Sequence, residues 1–276
     1  MLVTLTEAMA PLPDRRQALA AFNVFGYEDA AAIIAAAEEL DVPVALMANK
    51  LALSHMPVAV IGALLCEMAR RARVPVVVHL DHATDFVTVM QAVTAGFTSV
   101  MFDGSQLPLA QNIAQTREVC RAAHACGVSV EAEVGSVGYA DGTAAHAERT
   151  TPEIAAAFEA ETAPDALAIS VGTVHRMTEG VARIDFALMD KVVATLRTPA
   201  VIHGASGVSD EDLHRLVVHG ARKINIGTAL RVAFGRVLRA EMEAHPGEFD
   251  RLKFYGPCMR AVTAMAREKI LAMNAG

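Results

Sequence analysis

The sequence predicts an α/β chain folded as a (β/α)8 or TIM barrel, a single domain over residues 1–276 with an extra N-terminal helix and a C-terminal helical extension. Three observations predict it. Eight short runs rich in Val, Ile, Leu and Ala alternate with stretches of helical character, as in a parallel sheet wound with helices. The chain has 276 residues with no linker between its halves, close to the roughly 250 typical of such a barrel. Polar, titratable residues stand at the ends of the predicted strands, the functional face of that fold. A doubly wound open sheet is the alternative arrangement of the same elements.

Residues 2–9 read as a short helix that Pro11 and Pro13 end. Strand one covers 18–24, and an Ala-rich helix follows over about 28–40. Strand two is 43–47, with a helix over about 57–71 behind it. Strand three, 74–82, is a β-branched run buried on both faces that ends in an acid and an imidazole side by side. A helix over about 86–95 leads to strand four, 99–103, and the next helix, about 108–125, stops at Gly127. Strand five, 128–134, alternates with period two. Residues 135–147 carry Gly, Ala and Ser without periodicity, and loops of that length inside compact domains are usually functional. Thr151, Pro152 and Glu153 start a helix that runs to about residue 162. Strand six is 166–171 and strand seven 199–203; Ser209 then caps a helix, with Asp212 three residues on. Strand eight is 222–226, and the remainder is helical.

Composition excludes several classes. Residues are 53% hydrophobic and only 5% aromatic, which suits a core of Ala, Val, Leu and Ile. The longest apolar runs, such as 56–66, fall short of the roughly 18–20 residues that span a bilayer, and no basic-then-apolar leader opens the chain. A cytoplasmic protein without a membrane partner is expected. Net charge is −7 with no block of Lys or Arg, which argues against nucleic acid. The four cysteines, Cys66, Cys120, Cys126 and Cys258, have no CxxC spacing and read as inert.

Each strand end offers a candidate. Strand three gives Asp81 and His82, strand four Asp103, strand five Glu133, strand six His175, strand seven His203, and strand eight Asn225 with Thr228. One strand-end histidine is most often a hydrogen-bonded structural residue. Three from three strands that converge on one face reverse that inference, because three imidazoles and an open position make a catalytic zinc arrangement. His79 reads as a satisfied core histidine, and His55, His124, His146, His214, His219 and His245 as solvated. A second group suits an anion: Gly204, Ala205, Ser206 and Gly207 after strand seven, and Asn225, Ile226, Gly227 and Thr228 opening the helix after strand eight. Two ordinary βα turns fit the same spacing.

These segments, with Ala21-Phe22-Asn23, Val78-His79-Leu80-Asp81-His82, the stretch 95–105, Val130 to Gly135, Gly172 to His175, His203 to Gly207 and Lys223 to Thr228, resemble in order the class II, metal-dependent ketose-bisphosphate aldolase family. The resemblance implies reversible cleavage of a ketose (bis)phosphate into dihydroxyacetone phosphate and an aldehyde through a zinc-stabilised enediolate. It implies one Zn2+ (or another divalent ion) on His82, His175 and His203, and Asp81 as the acid that moves the hydroxyl proton. Glu133 becomes a supporting group or alternate metal ligand. Asn23, Gly204, Ser206, Asn225, Gly227 and Thr228 fall on the substrate side, and Asp141 takes the position of a loop acid for the carbon-bound proton. Homodimers or homotetramers are expected; the apolar stripe Tyr255, Met259, Val262, Met265 and Ile270 is a candidate surface, with packing on the barrel as the alternative.

The chain departs from the family after His175, where Arg176, Met177, Thr178 and Glu179 replace a Gly-x-Tyr-Lys pattern. Asn49 and Lys50 replace a small loop after strand two, and Lys50 and Arg176 are candidate anion contacts. A modified or less phosphorylated ketose is the alternative substrate, and a non-catalytic barrel subunit the alternative from another class.

Overall fold

The computed structural model describes residues 1–12, 17–139, 148–177 and 182–274. Eight parallel strands form the barrel: β1 Leu19–Asn23, β2 Val44–Ala48, β3 Val76–Ala83, β4 Ser99–Phe102, β5 Ser129–Val134, β6 Ala166–Ile169, β7 Ala200–Ile202 and β8 Ala221–Ile226. Each pairs with its neighbour in sequence, and β8 pairs with β1, Ile224 opposite Ala20, so the sheet closes. The predicted barrel is observed, and the open sheet is excluded.

Outside the strands lie α1 Tyr27–Leu40, α2 Val58–Arg71, α3 Phe86–Thr94, α4 Leu109–Ala125, α5 Pro152–Thr162, α6 Phe186–Val193, α7 Asp210–Val218, α8 Thr228–Ala244 and α9 Arg251–Asn274. The predicted caps hold: Thr151 accepts from the Ile154 N–H and Ser209 from the Asp212 N–H. No helix among the described residues is long and apolar enough to cross a membrane.

Five details differ from the sequence expectation. Leu2–Val3 is a strand beside Val76 and Val77, and the helix begins only at Leu5. Thr4 and Glu7 form a reciprocal capping box there, a T-x-x-E signal that fixes the true start. A six-residue helix, Lys50–His55, follows β2, and α6 lies between β6 and β7, where the sequence reading places none. Gly138–Tyr139 pairs with Val174–His175 within stretches read as loop. The stripe on α9 is not a free surface: Val262 and Ile270 are buried, and Met259 and Met265 pack against the main core. The exposed apolar side chains of this region include Met242, Phe249 and Leu252.

Side chains alternate across each strand, giving two cores. One lies between strands and helices and holds Phe22, Leu46, Val78, Phe102, Ile169 and Ile224. The other fills the barrel from its N-terminal end, where Leu5, Ala8 and Leu12 plug it against Leu19, Val77 and Val201. Several other inward positions are small, Ala21, Ala45, Ala166 and Ala168. That leaves room for larger polar side chains, the fully buried Glu131 and Lys223 among them.

Candidate active site

The C-terminal ends of the strands surround a cavity of about 620 Å³. Asn23, Asn49, Lys50, Asp81, His82, Glu133, His175, Arg176, Gly204, Ser206, Asn225, Gly227 and Thr228 line it. His203 sits beneath, fully buried. The structure therefore brings every predicted site residue to one place except Asp141, which lies outside the described residues.

Asp81 and His82 are consecutive, and a regular strand would point them to opposite faces. The register of β3 against β4 shifts between Leu80 and Ala83, and His82 takes φ +54°. This local irregularity turns both side chains to the cavity. Gly204, also left-handed at φ +66°, lets β7 turn directly behind the backbone of Val174 and His175.

The rings of His82, His175 and His203 lie with centroids 5.0, 4.7 and 5.9 Å apart. Each offers a nitrogen within 4.8 Å of the others, a spacing that could hold one metal ion. Hydrogen bonds choose which atoms face inward. His203 Nε2 meets Glu131 Oε1 at 2.8 Å, leaving its buried Nδ1 without a partner. His82 Nδ1 meets Asp103 Oδ2 at 2.7 Å, which leaves Nε2. Carboxylates behind imidazoles are the usual supports of metal-binding histidines. Glu133 accepts from the Val137 N–H through Oε1, while its partnerless Oε2 lies 3.8 Å from His82 Nδ1 and 3.6 Å from His203 Nδ1. A second grouping, His82, Asp103 and Glu133, is thus also close enough for an ion. Partnerless buried nitrogen and oxygen atoms facing one point fit a divalent cation.

Asp81 is held by Asn23, whose Nδ2 donates to Oδ2 at 2.8 Å; its other oxygen has no partner and lies 4.0 Å from His82 Nε2. Asn225 accepts from Lys223 Nζ at 2.7 Å, leaving its buried Nδ2 to face the cavity. Gly227 donates its N–H to Ser206 Oγ and opens α8 with no side-chain cap, so the first N–H groups of a 17-residue helix remain for an anion. Asn49 is partly committed elsewhere: its Oδ1 caps the helix at Lys50 by accepting from Leu51 and Ala52.

Burial opposes charge on His82, but Asp81, the hydrogen bond to Asp103 and Glu133 outweigh it and lift its pKa to about 10. Burial and the neighbouring Asp103 push Glu133 up to about 8. Burial lowers His203 and His175, keeping both imidazoles neutral at pH 7. Despite burial, Asp81 is held below the usual carboxylate range by His82 and His203.

Sequence reasoning missed three participants and gave a fourth no role. Glu131 and Lys223 lie inside strands, Asp103 was seen at a strand end without a role, and Arg231 lines the cavity from α8 with its guanidinium 5.3 Å from the Phe25 ring. The signal for Glu131 and Lys223 was their period-two spacing from Glu133 and Asn225. His79 is only half satisfied: Nδ1 meets Ser99 Oγ, and Nε2 has no hydrogen bond. Of the histidines read as solvated, His124 and His219 meet Asp165 and Asp190, His214 has a buried, partnerless Nδ1, and His146 lies outside the described residues.

Comparison with known proteins agrees with this geometry. The family profile described as fructose-bisphosphate aldolase class-II matches residues 3–276. The chain is 38% identical to a 6-phospho-5-dehydro-2-deoxy-D-gluconate aldolase of Shouchella clausii, over 97% of this chain and 94% of that protein. It is 34% identical to a fructose-bisphosphate aldolase of Thermus caldophilus, over 98% and 97%. The crystal structure of the YdjI aldolase from Escherichia coli K12 superposes with a TM-score of 0.88 at 30% identity, covering 99% and 97% of the two chains. The chain belongs to the class II fructose-bisphosphate aldolase family and is, accordingly, a carbon–carbon lyase.

Proposed function

We propose that the protein reversibly cleaves a ketose 1-phosphate carrying a second anionic group, releasing dihydroxyacetone phosphate and an aldehyde. The observation that carries this reading is the meeting of three histidines beside Asp81, whose unpaired oxygen lies 4.0 Å from His82 Nε2. A Zn2+ held by His82, His175 and His203 would supply Lewis acidity for the charge that develops on the donor half as the carbon–carbon bond breaks.

The chain's own residues do the rest. Asn23 fixes Asp81 so that its free oxygen takes the proton from the hydroxyl whose carbon becomes the aldehyde, and returns it in the reverse direction. The Thr228 N–H at the start of α8 and the hydroxyl of Ser206, which accepts from Gly227, hold the 1-phosphate. Asn225 Nδ2 donates to a substrate oxygen. Asp141 is assigned the proton at the donor carbon.

Lys50, Arg176 and Arg231 also line the cavity. Their charge suits a second phosphate or a carboxylate, since guanidinium groups pair bidentately with either. The Shouchella clausii relative, named for a phosphorylated gluconate derivative, favours the carboxylate. The test is a panel of ketose mono- and bisphosphates and 5-keto-6-phosphoaldonates, scored for zinc-dependent release of triose phosphate. Turnover undiminished after complete removal of metal, or none on any member, would refute the reading. Assembly into a homodimer or homotetramer belongs to the same proposal, supported by exposed Phe249 and Leu252; a monomeric mass in solution would overturn it.

A further inference from the structure

Beneath the histidines lies a buried ion pair that the proton and phosphate chemistry leaves unused. Lys223 is among the largest fully buried side chains in the protein. Its Nζ lies 2.9 Å from Glu131 Oε2 and donates to Asn225 Oδ1 at 2.7 Å. Glu131 Oε1 in turn meets His203 Nε2 at 2.8 Å. One ammonium therefore stands at the root of two branches, and each branch ends in a buried nitrogen without a partner: His203 Nδ1 and Asn225 Nδ2.

The hydrogen bonds dictate what those nitrogens are. A charged carboxylate only accepts, so Glu131 keeps the His203 proton on Nε2 and leaves a lone pair on Nδ1. Lys223 only donates, so the Asn225 oxygen turns to it and the amide N–H groups turn to the cavity. Without the ammonium, Glu131 would lose the partner, 2.9 Å away, that holds its carboxylate beneath His203.

We propose that Lys223 is a positioning residue for both halves of the site: through Glu131 it presents His203 Nδ1 to the metal ion, and through Oδ1 it presents the Asn225 amide to the phosphorylated donor. This inference rests on the metal reading proposed above. The competing explanation is that Lys223 and Glu131 are only a charge pair that fills the space left by Ala21 and Ala168.

The variants Lys223→Met and Lys223→Met/Glu131→Leu separate the two. Replacing both members of a buried pair by apolar residues is often neutral for stability, whereas removing one is strongly destabilising. The double variant is expected to fold and to melt within a few degrees of wild type when metal-free. Zinc affinity, measured by chelator competition, is expected to fall about 10–100-fold, as on loss of a group behind a metal ligand. Binding of dihydroxyacetone phosphate to the zinc-saturated protein, measured by calorimetry, should weaken by about tenfold. Wild-type zinc and donor affinity in the double variant would overturn the proposal, and so would failure of the double variant to fold. No zinc uptake by the wild-type chain would overturn the metal reading and this inference with it; equal uptake by wild type and double variant removes only the role given to Lys223.

Discussion

Gly204→Ala tests how tightly the turn after β7 is built against a metal-binding histidine. Gly204 has φ +66°, a conformation that costs an L-residue roughly 1–2 kcal/mol. A Cβ there would lie 2.7 Å from the Val174 carbonyl carbon and 2.9 Å from the His175 nitrogen. Both neighbours are backbone, so no side chain can swing away. The main chain must yield by about 0.7 Å, the gap between 2.7 Å and the 3.4 Å where ordinary contact begins. The segment that moves carries His175. A misplacement on the order of 1 Å costs roughly 100-fold in rate, so kcat/KM should fall between about 10- and 100-fold and zinc affinity should drop with it. Gly127→Ala is the control: it has φ +72° but nothing within 4 Å of the added carbon. It should lose about 1–2 kcal/mol of stability, roughly 2–8 °C in Tm, with full activity. Steady-state kinetics, zinc titration and thermal melting on the two variants decide the matter. If Gly204→Ala binds zinc and turns over like Gly127→Ala, the close packing of turn against histidine is not what places His175.

Removal of zinc by a chelator should abolish activity and lower Tm by roughly 10 °C when zinc had been present at about 1,000 times its Kd; an unchanged melting curve would contradict the metal site. Asp81→Asn keeps the side chain's shape and its hydrogen bond with Asn23 but cannot take a proton, so kcat should fall by about 10²–10⁴ with little change in Tm, and a near-normal kcat would remove Asp81 from the proton transfer. The metal-free protein should also lose stability as pH rises above about 6.5. His82 titrates near 10 when folded and from 6.5 when unfolded, and Glu133 near 8 against 4.5. The folded state holds the extra proton between 6.5 and about 10 at His82 and between 4.5 and about 8 at Glu133, so stability falls as pH rises through each window. Melting of the metal-free protein at pH 6, 7.5 and 9 should show a decline of several degrees; a rising Tm would reverse the sign and refute the charge assignment. Zinc uptake at pH 7.5 should in turn release at least one proton, from His82, measurable by calorimetry in buffers of different ionisation enthalpy.

Much of this architecture was legible because strand and helix periods differ and because strand-end polarity is costly without a use. The run 74–82 and the histidines at 82, 175 and 203 needed no structure to be singled out. What stayed hidden is local. The bulge at Leu80–Ala83 that aims both Asp81 and His82 at one point has no composition signature, since neither residue is a glycine. The helix Lys50–His55 is too short for a periodic pattern, and only its Asn49 cap marks it. Arg231 escaped notice because it sits one turn into α8, not at a strand end, and reaches the cavity by the length of its side chain.

The deeper pattern is a two-storey site. Within a strand, residues two apart face the same way and stand about 7 Å apart along the strand. His79 stands below Asp81, Glu131 below Glu133, and Lys223 below Asn225; in each pair the upper residue lines the cavity. All three lower residues are fully buried, and Glu131 draws them together, 2.9 Å from Lys223 Nζ and 3.9 Å from His79 Nε2. A barrel interior packed with branched apolar residues could not host this layer, because burying a charge without partners is prohibitive. The alanines at 21, 45, 166 and 168 remove that obstacle by opening space on the strands that face the polar ones. Polar residues at both i and i+2 near the end of an otherwise apolar strand therefore mark a worked position and its support together, whereas a single polar residue at the end marks only the first.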